Sequence, residues 1–206
     1  MSPFTRLRAA TALTLVLIAG VSCGRSADTR RSATGQSANA PEAPAPSIYG
    51  LDLALTDQNG RPVALSDLRG RVWVAAMMYS SCKTVCPRVT KDMKGIESRL
   101  AGVDRERVSY ALFSLDPGHD SPAALRAYAR EHGLDSERWR LFVTSEDGVR
   151  DLAAVLGVKY RAEDGGEIAH SAMIFVINRD GVITHRQVGL GQDANDLVAA
   201  VAAASR

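Results

Sequence analysis

The chain has 206 residues, 46% hydrophobic and 23% charged, enough for a domain with a good core. Its formal charge is +2, and no basic stripe interleaved with aromatics occurs, which excludes a nucleic-acid binder. Its cysteines number three, so thiol chemistry rests on very few positions.

The N-terminus reads as an export signal. Arg6 and Arg8 form a short basic region, and Ala9 to Ala19 is an apolar run too short to span a bilayer. It ends at Gly20-Val21-Ser22-Cys23-Gly24, small residues followed by Cys, as in the cleavage box of a bacterial lipoprotein. Such a box usually has Leu where Gly20 stands. The expectation is a signal peptide over 1–22 and a lipid on Cys23; ordinary cleavage nearby and an uncleaved anchor are the alternatives. Cleavage before Cys23 removes Arg6 and Arg8 and no acid, bringing the charge to about zero. Residues 23–46 are rich in Ser, Ala, Thr, Gly and Pro without apolar periodicity, which predicts a flexible tether. Residues 47–206 then form one domain facing the extracytoplasmic side of the cell envelope.

Within that domain Leu51 to Leu55 alternates like a strand, Asp57-Gln58-Asn59-Gly60 is a turn, and Val63 to Leu65 returns. Val72 to Tyr79 reads as a buried strand, and Thr84 to about Leu100 as a helix. Val108 to Leu115 is a second buried strand. Asp116 to Asp120 is a loop, and Ser121 with Pro122 starts a helix running to about His132. A strand at Arg140 to Val143, a helix from Asp147 to Leu156 stopped by Gly157, and an extended piece at Val158 to Tyr160 follow. Ala172 to Ile177 and Val182 to Gln187 form a hairpin about Asn178-Arg179-Asp180-Gly181, and Asp193 to Ala203 is the last helix. Alternating strands and helices closed by a hairpin predict an α/β fold with a central mixed sheet, helices on both faces and an N-terminal hairpin extension. A dithiol where a strand meets a helix makes it thioredoxin-like.

The dithiol is Cys82-Lys83-Thr84-Val85-Cys86-Pro87. Four residues apart on a first helical turn, the two sulfurs would share one face, where the helix dipole and free N–H groups stabilise thiolates. Such a pair can hold a soft metal or cycle as a disulfide. A purely static bridge this local would stabilise little. Pro87 has no N–H to lose in a first turn. A metal needs a third ligand, and His170, just before the apolar strand, is the candidate. In a thioredoxin-like fold the loop facing the active-site turn usually carries a cis-proline; here a histidine takes that neighbourhood. Two thiolates and an imidazole suit Cu(I) in a trigonal site and Cu(II) with a further ligand, whereas zinc would normally want a fourth. His119 falls on the cysteine edge of a parallel sheet and is a weaker, auxiliary candidate. His132 reads as a structural helix end, and His185 as an exposed strand residue. Met77 and Met78 read as core rather than thioether ligands, and Trp73 and Trp139 as core. Asp116 and Asp120 read first as turn and cap residues, with a role behind the ligands or in partner docking as the alternative.

Together these features resemble the SCO/SenC family of copper-binding, thioredoxin-like proteins of cytochrome c oxidase assembly. The resemblance spans the domain. It runs from Tyr79-Ser80-Ser81-Cys82-Lys83-Thr84-Val85-Cys86-Pro87 through Ser114-Leu115-Asp116-Pro117 with Asp120-Ser121-Pro122. It continues through Trp139-Arg140-Leu141-Phe142 and Leu156-Gly157-Val158-Lys159-Tyr160 to His170-Ser171 before Asn178-Arg179-Asp180-Gly181. It implies that Cys82, Cys86 and His170 bind one copper ion. It also implies a metallochaperone that delivers copper to the oxidase subunit carrying the copper site, or to another envelope copper enzyme. Other copper chaperones or thiol reductants would be further partners. Many members have Asp directly before the histidine; this chain has Ala169. The alternative is a thiol–disulfide oxidoreductase in which Cys82 and Cys86 are the redox-active pair reducing the client's cysteines. A peroxidase is excluded, because the strand before Cys82 lacks the Pro that chemistry requires.

Overall fold

The structure, a computed structural model, describes residues 46–100 and 106–206. The signal segment, Cys23 and all but the last residue of the tether lie outside the described residues. Among the described residues no helix is long and apolar enough to cross a membrane.

The strands are β1 (Ala54–Asp57), β2 (Pro62–Ala64), β3 (Val72–Met78), β4 (Val108–Ser114), β5 (Trp139–Val143), β6 (Tyr160–Ala162), β7 (Ile168–His170), β8 (Met173–Ile177) and β9 (Ile183–Val188). The helices are α1 (Val85–Arg99), α2 (Pro122–Glu131), α3 (Glu146–Leu156) and α4 (Asn195–Ala204). Seven strands make one mixed sheet in the order β2-β1-β5-β4-β3-β8-β9. The pairs β3–β4 and β4–β5 are parallel, and β1–β2, β1–β5, β3–β8 and β8–β9 are antiparallel. The hairpin β1–β2 is the expected N-terminal extension, added to the sheet beside β5.

The all-apolar strand β3 is buried on both faces, as parallel-sheet strands are. Its side chains split by the period of two. Val72, Val74, Ala76 and Met78 join the core under α1, α2 and α4, with Val89, Met93, Tyr128, Leu197 and Val201. Trp73, Ala75 and Met77 join the opposite core under α3, with Val149, Leu152 and Leu156. Trp73 and Trp139 are buried, with indole N–H groups donating to Leu68 O and Glu97 Oε2. Both methionines are core, as expected. Helices thus cover both faces.

Ser121 and Ser145 cap α2 and α3, accepting the Ala124 and Gly148 N–H groups, and Gly157 ends α3 with φ 76°. The first strand begins later than expected, because residues 48–50 form a 3-10 turn capped by Ser47. His185 is half-buried on β9 rather than exposed, since α4 packs beside that strand. The largest difference is the ribbon β6–β7. Its two three-residue strands pair outside the main sheet, with His170 opposite Tyr160, where the sequence predicts only a short extended piece at 158–160.

Candidate metal centre

The site forms where β3 and β4 end side by side. The parallel register sets Met78 beside Ser114, and the Leu115 N–H donates to Met78 O at 2.7 Å. The chain leaving β3 turns at once, with the Cys82 N–H donating to Tyr79 O at 3.2 Å. Cys82 therefore lies in the turn, not on the helix. This corrects the expectation of two thiols on one helical face, because α1 begins only at Val85. Cys86 is in the first turn of α1, and its N–H donates to Cys82 Sγ at 3.3 Å. The Cys82 sulfur thus occupies the place of an N-cap acceptor, satisfying one of the free N–H groups of a helix start.

His170 arrives from β7, not from a loop running into β8 as expected. Its Nε2 stands 3.4 Å from Cys86 Sγ. Its Nδ1 is 3.2 Å from Ser171 O, an acceptor that requires Nδ1 to carry the proton. That leaves the Nε2 lone pair facing the sulfurs, the arrangement of a metal-ligating histidine. The ligand atoms of Cys82, Cys86 and His170 all lie within 4.8 Å of one another. Ligands bonded at about 2.0–2.3 Å around one ion in a plane stand roughly 4 Å apart, so the residues fit a metal between them. Among the described residues no other His, Cys, Asp or Glu joins this cluster, one donor short of a closed tetrahedral zinc site. Both cysteines are free thiols and buried.

Their environments differ. Burial would raise the Cys82 thiol, but hydrogen bonds from Cys86, the Thr84 backbone and the Tyr79 side chain outweigh it and leave Cys82 below the usual range. Burial pushes Cys86 well above it, helped by the facing Cys82 sulfur and by Asp120. Burial also lowers the His170 imidazolium and so favours the neutral ring, partly offset by the hydrogen bond to the Ser171 carbonyl. The result is a Cys82 thiol that ionises more readily than Cys86, beside an imidazole whose Nε2 is free to ligate. A metal ion, or oxidation to a disulfide, must displace the thiol protons.

Asp120 is 2% exposed and does more than shape a turn. Its carboxylate accepts the Ser80 N–H at 3.1 Å, the Ser80 hydroxyl, and the Ser114 hydroxyl at 2.6 Å. It thereby ties the segment entering Cys82 to the end of β4. Asp116 and His119 sit at the same sheet edge, as expected, but bond each other, with His119 Nδ1 2.9 Å from Asp116 Oδ1 and the imidazole exposed. They line a groove of about 380 Å³ with Leu115, Val149, Tyr160 and Ile168. His119 does not reach the cysteines, and His132 caps α2 with its ring 4.2 Å from that of Tyr128. Ala169 is exposed; the partner of the His170 ring is the next carbonyl, from Ser171.

Tyr79, Ser80, Ser114 and Ser171 stand in the sequence motifs, but the sequence assigns them no role of their own. Hydroxyls and backbone carbonyls carry no spacing signal, and they acquire partners only once β3, β4 and β7 converge.

Comparison with known proteins agrees with this architecture. The family model described as SCO1/SenC matches residues 41–205. The SCO1 protein homolog of Bacillus subtilis is 26% identical over 154 residues, 72% of this chain and 79% of that protein. Among solved structures, a SCO1/SenC family lipoprotein from Bacillus anthracis superposes with TM-score 0.68 at 24% identity, covering 76% of this chain and 97% of that one. Yeast Sco1 with copper bound superposes with TM-score 0.62 at 19% identity, over 77% and 88%.

Proposed function

The chain belongs to the SCO1/SenC family, and from that premise we propose that it is a copper metallochaperone serving the copper site of cytochrome c oxidase or of another cell-envelope copper enzyme. The observation that carries this reading is the convergence of Cys82 Sγ, Cys86 Sγ and the unprotonated Nε2 of His170 within 4.8 Å. Two soft thiolates and an imidazole form a three-donor set that suits Cu(I), and the third donor makes Cu(II) tenable. The copper-bound structure of yeast Sco1 supports the same cargo.

As cargo, copper would enter by displacing the thiol protons, that of Cys82 more readily than that of Cys86. It leaves by stepwise exchange onto a client's soft ligands. Oxidation of the pair gives two electrons to an acceptor, forms the Cys82–Cys86 disulfide and removes two of the three ligands. We place the domain on the extracytoplasmic side, tethered by residues 23–46 from a lipidated Cys23, with residues 1–22 removed. A tether of about twenty residues gives the domain reach across a membrane surface.

The contrast between the two thiols favours a second reading, a thiol–disulfide reductase. A Cys82 thiolate would attack a client disulfide, and Cys86 would resolve the mixed disulfide. The client leaves as a dithiol and the pair as a disulfide. Anaerobic copper titration of the reduced protein, beside a Cys82→Ser/Cys86→Ser variant, separates the two. One tightly bound copper, with thiolate-to-Cu(II) charge-transfer absorption missing from the variant, is expected. A readily cycled disulfide without stoichiometric copper would replace the chaperone reading with the reductase.

A further inference from the structure

We propose that Tyr79 is the positioning residue that holds the His170-bearing ribbon against the dithiol, and that its hydroxyl sets how firmly the imidazole joins the site. The inference deepens the copper reading and rests on it for its metal-loaded test. Tyr79 touches each component. Its carbonyl accepts the Cys82 N–H at 3.2 Å. Its ring meets the His170 ring edge-on, with centroids 6.0 Å apart and planes at 78°. Its hydroxyl accepts the Ile168 N–H at 3.2 Å, two residues before His170 on the same strand.

The ribbon needs such a tie. Among the described residues β6 and β7 pair only with each other; Tyr160 and Ile168 pack on the cores, but residues 161–167 between them are all exposed. The Ser171 N–H bond to Lys159 O closes the ribbon on its own base, not on the cysteines. Among the described residues, the hydrogen bonds that join β7 to the cysteine turn are the Ile168–Tyr79 bond and the Cys86–His170 contact itself. The first is part-buried, with Tyr79 itself 5% exposed, so leaving it unmade carries a cost. The phenol accepts from Ile168 and keeps its own proton to donate. One side chain thus spans the two segments whose separation decides whether a third ligand is present. Outer partners that orient ligands commonly govern metal affinity in this way.

Tyr79→Phe removes one oxygen and keeps the ring. In the metal-free, reduced protein, amide exchange at Ala169 and His170 should quicken relative to β8, with the unfolding midpoint little moved. Unchanged exchange at both amides overturns the proposal, whatever the protein does with copper. In the Cu(II)-loaded protein, the nitrogen coupling in the electron paramagnetic resonance spectrum should weaken, and release to a chelator should accelerate roughly tenfold or more. Cu(I) stoichiometry should remain one. Release equal to that of the unsubstituted protein also overturns it. If the unsubstituted protein takes up no copper, the copper reading fails, and the exchange result alone judges Tyr79.

Discussion

At the scale of single residues, the three candidate ligands differ in what each would contribute. His170 is neutral and directed by one carbonyl, whereas two sulfurs are enough to hold Cu(I). His170→Ala should therefore weaken Cu(II) binding by roughly tenfold or more while leaving Cu(I) binding much less changed. Competition titrations in both oxidation states measure this, and equal losses would sink the ordering. The sulfurs differ too. With Cys82 lowered by the hydrogen bonds it receives and Cys86 raised by burial, iodoacetamide at pH 7.5 should modify Cys82 first, because the thiolate is the nucleophile. Peptide mapping of partly alkylated protein reads the order, and early modification of Cys86 would contradict the assigned polarity. The absent carboxylate at Ala169 turns out to matter little for tautomer choice, because the Ser171 carbonyl takes the Nδ1 proton.

At the scale of elements, β8 and β9 depend on a turn that only glycine fits. Gly181 has φ +86°, and a Cβ there would run into Ser47 Oγ and the Tyr49 ring. The same turn anchors the domain's first residues, since the Ile48 N–H donates to Gly181 O at 2.9 Å. Gly181→Ala should cost about 2–4 kcal/mol from left-handed strain and overpacking together. Urea unfolding measures this, and a loss under about 1 kcal/mol would show that the segment shifts freely. The sequence made the main elements legible for a physical reason. β3 and β4 are continuous apolar runs, and α2 and α3 carry Ser caps, so local pattern and tertiary placement agree. The ribbon β6–β7 escaped because its strands are three residues long and half exposed. Its signal was Gly165-Gly166, both at positive φ, a hairpin cue between strands too short to notice. Cys82, Cys86 and His170 were readable as residue types at telling positions. Asp120 was readable in a supporting role only as an alternative; the parts of Tyr79 and Ser171 were not legible, because the first joins segments 89 positions apart and the second acts through a backbone carbonyl that every residue carries.

At the scale of the whole molecule, the sheet separates two cores, and each holds at least one buried tyrosine. Tyr49 lies on the α3 side and Tyr110 on the α1 side, and burial pushes each phenol up to about 12. Unfolded phenols ionise near pH 10. Between these values the unfolded chain gives up protons that the folded chain keeps, so stability falls as pH rises. The contribution is complete below pH 10 and spent by about pH 12, roughly 3 kcal/mol for each tyrosine. Among the described residues the Tyr110 hydroxyl has no hydrogen-bond partner, so Tyr110→Phe should leave neutral stability equal or higher and flatten this alkaline slope. Denaturant curves from pH 8 to 12 decide it, and parallel slopes would refute the assignment. The site itself is a property of the whole chain. Cys86 and His170 are 84 positions apart, and β8, which follows His170, is threaded antiparallel beside β3. A chain synthesised only as far as α1 owns both thiols and no imidazole. It is an oxidisable pair before it is a three-donor site. On the proposed copper reading, full loading therefore certifies completion: three donors face one point only after segments 84 positions apart have met.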